Sequence, residues 1–293
     1  MHESHETLEQ ARARNVRDAM LEDLGPIDWT ASLVPATRRM TGKVVAKEGA
    51  VLAGCSWFDA CLRHLDPHVE IQWLVDEGGK TEPGSDVCRF RGHARALLSA
   101  ERSALNFLQM LSAVATITRR FVDEIEGVSP NPRGCRILDT RKTLPGLRQA
   151  QKYAVRVGGG MNHRMGLWDA MLIKENHIAA AGGVAQVLQA ARALSATVPL
   201  QIEVEDLDEL REALECGARH VLLDDFSLEA MARACEINAG RAELEVSGGV
   251  SLATVREIAA TGVDRISIGK LTKDVQAVDL SMRMAIEDSG DGR

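Results

Sequence analysis

The sequence has no apolar run near the roughly 18–20 residues that a membrane-crossing helix needs. Its first twenty residues, MHESHETLEQARARNVRDAM, lack the apolar centre of a secretory signal and are expected to form a polar or amphipathic helix. No CxxC pair occurs among the six cysteines, and the eight histidines do not complete a zinc spacing with them. Scattered thiols in a chain this long fit a reduced, cytoplasmic protein better than a disulfide framework. His2 and His5 lie in the terminal tail and are set aside as ligands. A basic excess is also missing. The net charge is −7, which argues against broad nucleic-acid binding.

What is present is a chain of 293 residues with 45% apolar composition, enough for one large domain or two modest ones. Up to about residue 113, helices and short strands mix irregularly. The segment 41–54 reads as a hairpin around Lys47-Glu48-Gly49, while 71–80 and 86–100 read as further strands. The segment 101–125 is a long helix, with Leu105, Leu108, Leu111, Ala115 and Ile117 near helical spacing. After about 134 a strand–helix rhythm takes over. Strands are expected at 135–140, 170–175, 200–205, 220–225, 242–249 and 264–269, with helices over 182–194, 206–218 and 227–240. Short apolar strands alternating with helices imply parallel units buried on both faces. With no GxGxxG fingerprint, a full or partial barrel is favoured over an open doubly wound sheet.

In such barrels the chemistry sits at the C-terminal strand ends. Here those ends carry Thr140-Arg141-Lys142, Lys174, Glu203 with Glu205, Asp224 with Asp225, Ser247-Gly248-Gly249, and Ile268-Gly269-Lys270. The first two are cationic, the middle two acidic and the last two glycine-rich. That order suits a polyanion with a bound divalent metal. Glycines let backbone N–H groups close on phosphate, and a helix opening at Ser251 would add its dipole. Glu203 and Asp224 could hold Mg²⁺ together with substrate oxygens, or contact ribose hydroxyls. Residues 203 and 205 share a strand face, so the period alone does not choose between them. His163 and Arg164 follow three glycines and are anion-site candidates.

The stretches DTRKTLPGLR, GGGMNHRMGLWD and IKENHI, followed by IEVEDLDEL, LLDDF, EVSGGV and DRISIGKLT, resemble the quinolinate phosphoribosyltransferase family over nearly the whole chain. The resemblance implies an α/β protein: an N-terminal α/β sandwich at 1–113, to which 275–293 return, and an incomplete parallel α/β barrel at 114–274. It implies phosphoribosyl transfer to quinolinate from phosphoribosyl pyrophosphate with loss of CO₂, Mg²⁺ as cofactor, and a homodimer with shared sites. No nucleic-acid or membrane partner is implied. By motif, Arg102 resembles the arginine reaching the partner's quinolinate. Arg141, His163 and Arg164, with Lys174 at the base, resemble the carboxylate pocket. Lys142 resembles a pyrophosphate contact, and Lys142, Lys174, Glu203 and Asp224 are the expected catalytic groups. Thr140, Ser247, Gly248, Gly249, Ile268, Gly269 and Lys270 complete the expected substrate contacts. The chain departs from the family pattern in several places. Gln201 replaces the first acid of the usual EVEVE stretch, and Asp225 stands where many relatives have Asn. Ala113 replaces a common Gly, and Lys273 a common His. A nicotinate-specific transferase is the competing enzyme reading, and a binding-only homologue the non-enzymatic one.

The charge is also unevenly spread. Nine Lys/Arg and two acids between Arg133 and Lys174 leave that stretch at +7 and the rest at −14. A concentrated cationic site inside an acidic chain can attract anions by local focusing.

Overall fold

The computed structural model describes residues 5–194 and 197–286; His2 and 287–293 lie outside them. The chain divides into two compact units, one of 1–117, 144–158 and 274–293, the other of 118–143 and 159–273.

The first unit begins with α1 (Leu8–Leu24), closed at its start by a capping box between Thr7 and Gln10. Then come β1 (Arg39–Ala46), β2 (Ala50–Val51), α2 (Cys55–Leu65), β3 (Glu70–Trp73), β4 (Lys80–Thr81), β5 (Asp86–His93) and α3 (Ala94–Ile125), whose last turns belong to the second unit. The expected hairpin at 41–54 does not form. β1 pairs with β5 on one side and with the last strand on the other, while β2 pairs with β4. Turn residues favoured a local partner, but two longer non-local partners took β1's hydrogen bonds. The strand expected over 86–100 stops at His93, and Ala94–Ala100 is helical, since Ala and Leu there carry helical spacing. Phe90 on β5 meets Phe58 of α2 at 6.1 Å between ring centroids, fixing the helix on the sheet.

The second unit is built on a six-stranded parallel sheet. Its strands are β6 (Arg136–Leu138), β7 (Met171–Ile173), β8 (Leu200–Val204), β9 (His220–Asp224), β10 (Glu243–Ser247) and β11 (Arg265–Ser267). The spatial order is β6-β11-β10-β9-β8-β7, so the two strands earliest in the chain are the two edges. The sheet is therefore a barrel with one seam open. Residues 159–169 enter at the seam. Met161 makes a parallel bridge to Leu138, donating its N–H to Ile137 at 2.8 Å. Between strands lie α5 (Glu175–Ala181), α6 (Val184–Ala193), α7 (Leu207–Glu215), α8 (Leu228–Asn238) and α9 (Val255–Ala260), with the short α10 (Lys270–Lys273) after β11. In the first unit, α4 (Arg148–Val157) occupies a segment expected to belong to the barrel. The final strand, β12 (Leu280–Ile286), pairs with β1 over seven positions.

Alternation along the parallel strands sorts their side chains. One face carries Ile137, Ile202, Val204, Val221, Leu223, Leu244, Val246 and Ile266, all buried. The other carries Gln201, Glu203, Asp224, Glu243, Glu245, Ser247 and Arg265. Gln201 on β8 bonds Glu245 on β10 across the intervening β9, so the sheet curls toward this polar face. Charged ends also lie at the strand starts. Glu243, the first residue of β10, pairs with Arg136 at 2.8 Å, His220 at 3.1 Å and Arg265, the first residues of β6, β9 and β11.

Candidate active site

Lys174 follows β7 immediately, one step beyond the Ile173–Ile202 pair, and so stands beside Glu203. Its Nζ lies 2.9 Å from each oxygen of that carboxylate. Glu203 is 7% exposed. Burial pushes its carboxyl above the ordinary range, Lys174 opposes the shift, and Asp224 adds to it. Asp224 ends β9 and pairs in register with Ser247, the last residue of β10. Glu205, by contrast, is exposed in the bend between β8 and α7, before the N-cap Asp206.

Past Ser247 the backbone makes a tight cup. Gly248 and Gly249 have φ of +101° and +56°, and a Cβ on Gly248 would lie 3.3 Å from the Asp225 backbone nitrogen. Asp225 itself is left-handed at φ +55°. The helix expected to open at Ser251 begins as regular α-helix only at Val255, after a turn over 252–254. Thr254 is held back by its own Oγ1, which accepts from Ser251 N–H.

Gly269 faces Lys142. A Cβ there would stand 2.9 Å from Lys142 Cδ, so the missing side chain is what lets the lysine stem pass. Thr140 Oγ1 accepts the Lys142 N–H at 3.0 Å, and Thr272 Oγ1 donates to the Lys142 carbonyl at 2.8 Å. Lys270 is exposed at the start of α10. Ile268 is buried with its N–H committed to Leu138, so it shapes this wall through backbone and packing.

His163 and Arg164 come from the seam. Asp139, fully buried, accepts His163 N–H at 2.8 Å and Asn162 Nδ2 at 2.6 Å. Asp169 accepts the N–H groups of Met165 and Gly166. Arg164 donates to the Ala170 carbonyl at 3.1 Å. Burial, then the nearby Arg141 guanidinium, holds Arg164 below its ordinary pKa. Asn162, His163, Arg164, Met165 and Asp169 wall a cavity of about 410 Å³ that also reaches Gln201 and, at the strand starts, His220 and Arg265. Arg102 is in the first unit, exposed on α3, where it lines a cavity of about 380 Å³ with Arg14, Asp18 and Glu22.

Sequence reasoning missed Asp139, Asp169, Gln201's bonding and Glu245. Polar residues at every second position of β8 and β10, in otherwise apolar strands, were the available signal. No group of three or more His, Cys, Asp or Glu among the described residues forms a metal cage. The hard oxygens of Glu203 and Asp224 suit Mg²⁺ that keeps substrate and water ligands. Burial pushes the thiols of Cys61, Cys88 and Cys135 up to about 12, so none of these offers an activated nucleophile.

Two family models match: the quinolinate phosphoribosyl transferase N-terminal domain over residues 28–112 and its C-terminal domain over 114–283. The chain belongs to the quinolinate phosphoribosyl transferase family. The nicotinate-nucleotide pyrophosphorylase [carboxylating] of Mycobacterium leprae is 39% identical over 277 residues, covering 91% of this chain and 95% of that one. The quinolinate phosphoribosyltransferase [decarboxylating] 2 of Nicotiana glauca is 37% identical over 290 residues, covering 92% and 81%. The solved nicotinate-nucleotide pyrophosphorylase of Francisella tularensis superposes with a TM-score of 0.90 at 40% identity, covering 95% and 97%. Like that structure, this member of the family joins an antiparallel-sheet unit to a six-stranded parallel one.

Proposed function

We propose that the protein transfers phosphoribosyl from phosphoribosyl pyrophosphate to quinolinate, releasing nicotinate mononucleotide, pyrophosphate and CO₂, as a step in making NAD. The observation that carries the reading is the Lys174–Glu203 pair at the strand ends, together with two guanidiniums, Arg141 and Arg164, close enough to each other for the first to lower the pKa of the second. Arg141 and Arg164 repel each other when no carboxylate lies between them, and a dicarboxylate relieves that repulsion while being fixed by forked hydrogen bonds. Fixing both carboxylates aims the pyridine nitrogen at C1 of the ribose. Lys174, with Glu203 holding its ammonium, supports the base of this pocket. Glu203 and Asp224 face the ribose hydroxyls. The Ser247-Gly248-Gly249 cup, with Gly269 and Lys270, takes the 5′-phosphate, and Lys142 stands toward the pyrophosphate, whose departure leaves positive charge on the sugar. Attack by nitrogen gives a pyridinium, whose positive charge stabilises the pair left on the ring carbon when the adjacent carboxylate departs as CO₂; that carbon then takes a proton from water.

Mg²⁺, held by Glu203 and Asp224 with substrate oxygens, would neutralise charge on the leaving pyrophosphate. Arg102 serves a neighbouring subunit's quinolinate in a homodimer, and cysteines without disulfides support a cytoplasmic location. The test is a direct assay with phosphoribosyl pyrophosphate, Mg²⁺ and either quinolinate or nicotinate. CO₂ and nicotinate mononucleotide appearing from quinolinate is the expected result. Turnover of nicotinate alone, or binding without turnover, refutes it.

A further inference from the structure

His163 is one of the residues expected at the carboxylate pocket, and both its ring nitrogens have partners inside the protein. Nδ1 accepts the backbone N–H of Arg164 at 2.7 Å. An accepting Nδ1 leaves the proton on Nε2, which faces Gln201 Oε1 at 3.0 Å and Glu245 Oε1 at 3.4 Å. Gln201 then donates its Nε2 to Glu245 Oε2 at 3.0 Å. Gln201 and Glu245 are 8% and 1% exposed, so neither amide nor carboxylate has much water to turn to. The bonds run in one direction: Arg164 N–H to His163, His163 to Gln201, Gln201 to Glu245. An amide is the side chain that can accept at one end and donate at the other, and it holds both neighbours with a single negative charge in the chain.

Resting on the reading of quinolinate as substrate, the structure assigns Gln201 as a positioning residue for the carboxylate pocket. It acts through His163 on the main chain of Arg164, and so sets where that guanidinium stands. His163 is then also a positioning residue. Asp139 holds the same turn from the other side, through His163 N–H and Asn162, so the ring is fixed between two buried acceptor systems. A carboxylate at 201, the residue usual in the family, would keep an acceptor for His163 and share one proton with Glu245.

The test is steady-state kinetics of the full-length protein with quinolinate and phosphoribosyl pyrophosphate varied separately. The variants are Gln201→Met and Gln201→Glu. Gln201→Met loses both bonds at nearly constant volume. Its KM for quinolinate should rise by about tenfold or more, since displacing a positioning group by about 1 Å can cost a hundredfold. Its KM for phosphoribosyl pyrophosphate should stay within about twofold. Gln201→Glu keeps the acceptor for His163 and should hold KM for quinolinate within about threefold of the parent. An unchanged quinolinate KM in Gln201→Met overturns the assignment. So does a Gln201→Glu variant, folded by circular dichroism, whose quinolinate KM rises as far as that of Gln201→Met. A parent protein that turns over no quinolinate instead overturns the substrate reading, and the assignment with it.

Discussion

Replacing Lys174 by Met separates what the ammonium does for folding from what it does for chemistry. In the parent, both Glu203 oxygens lie 2.9 Å from Nζ, and the carboxylate is almost completely buried. Two unit charges about 3 Å apart interact by roughly 5 kcal/mol at an effective dielectric of about 20. Breaking a buried pair costs about 3–5 kcal/mol. The Lys174 side chain is 45% exposed, so water screens part of that, and about 2 kcal/mol is the expected loss at neutral pH. The loss depends on pH in a definite direction. Without Lys174 the Glu203 pKa, already raised by burial, rises further above its unfolded value. A group so raised stabilises the fold below its unfolded pKa, and that stability is lost as pH rises through the folded value. Urea unfolding of Lys174→Met should therefore show about 2 kcal/mol lost at pH 8 and little at pH 5. Adding Glu203→Gln removes the orphaned charge and should restore stability at pH 8. Activity should not follow: kcat/KM should stay more than about a hundredfold down in both variants, because the substrate still lacks its cation. A stability loss equal at pH 5 and 8, or near-normal kcat/KM in Lys174→Met, would refute the reasoning.

The cluster at the strand starts gives an opposite pH signature. Burial pushes Glu243 up, but Arg265 and Arg136 outweigh it and hold the carboxyl below its ordinary value. Its stabilisation is present above the unfolded pKa and lost as pH falls through the folded one. Glu243→Gln should cost about 2–4 kcal/mol in urea unfolding at pH 7 and progressively less below about pH 4, with kcat little changed. Gly269→Val should raise the KM for phosphoribosyl pyrophosphate in steady-state assays, since even one carbon there meets Lys142 at 2.9 Å. Asp225→Asn should leave thermal stability within about 0.5 kcal/mol, because Asn also accepts a left-handed backbone, whereas Asp225→Val should cost about 1–2 kcal/mol. Mixing inactive Arg102→Ala with inactive Glu203→Ala chains should recover activity after subunit exchange. None recovered after verified exchange would refute a shared site.

The parallel strands were legible because strands buried on both faces read as short apolar runs between helical stretches, and β6 through β11 fall inside all six expected segments. The strand ends followed from that, which is why Lys174, Glu203, Asp224 and Ser247 were found together before any geometry was known. The first unit was harder to read. β1 owes its position to β5 and β12, far away in sequence, and a Lys-Glu-Gly turn beside it suggested a nearer partner. The environment of His163 was hidden for the same reason. Asp139 follows β6, Gln201 is on β8 and Glu245 on β10, and nothing local marks them as neighbours.

The order of strands in the two sheets also dictates when each can be finished. β6 finds its partner in β11, well over a hundred residues downstream, and β1 finds one of its partners in β12, more than two hundred downstream. The strands between β7 and β11 pair with their successors and can zip together as they leave the ribosome, but these two closures have very high contact order. Arg141 and Lys142 thus remain just beyond an undocked strand while the acids and the glycine cup are already in place. A chain halted before about residue 265 would hold the parts of a catalyst without being one. The free edges of β10 and of β1 are what chaperones would have to cover until then.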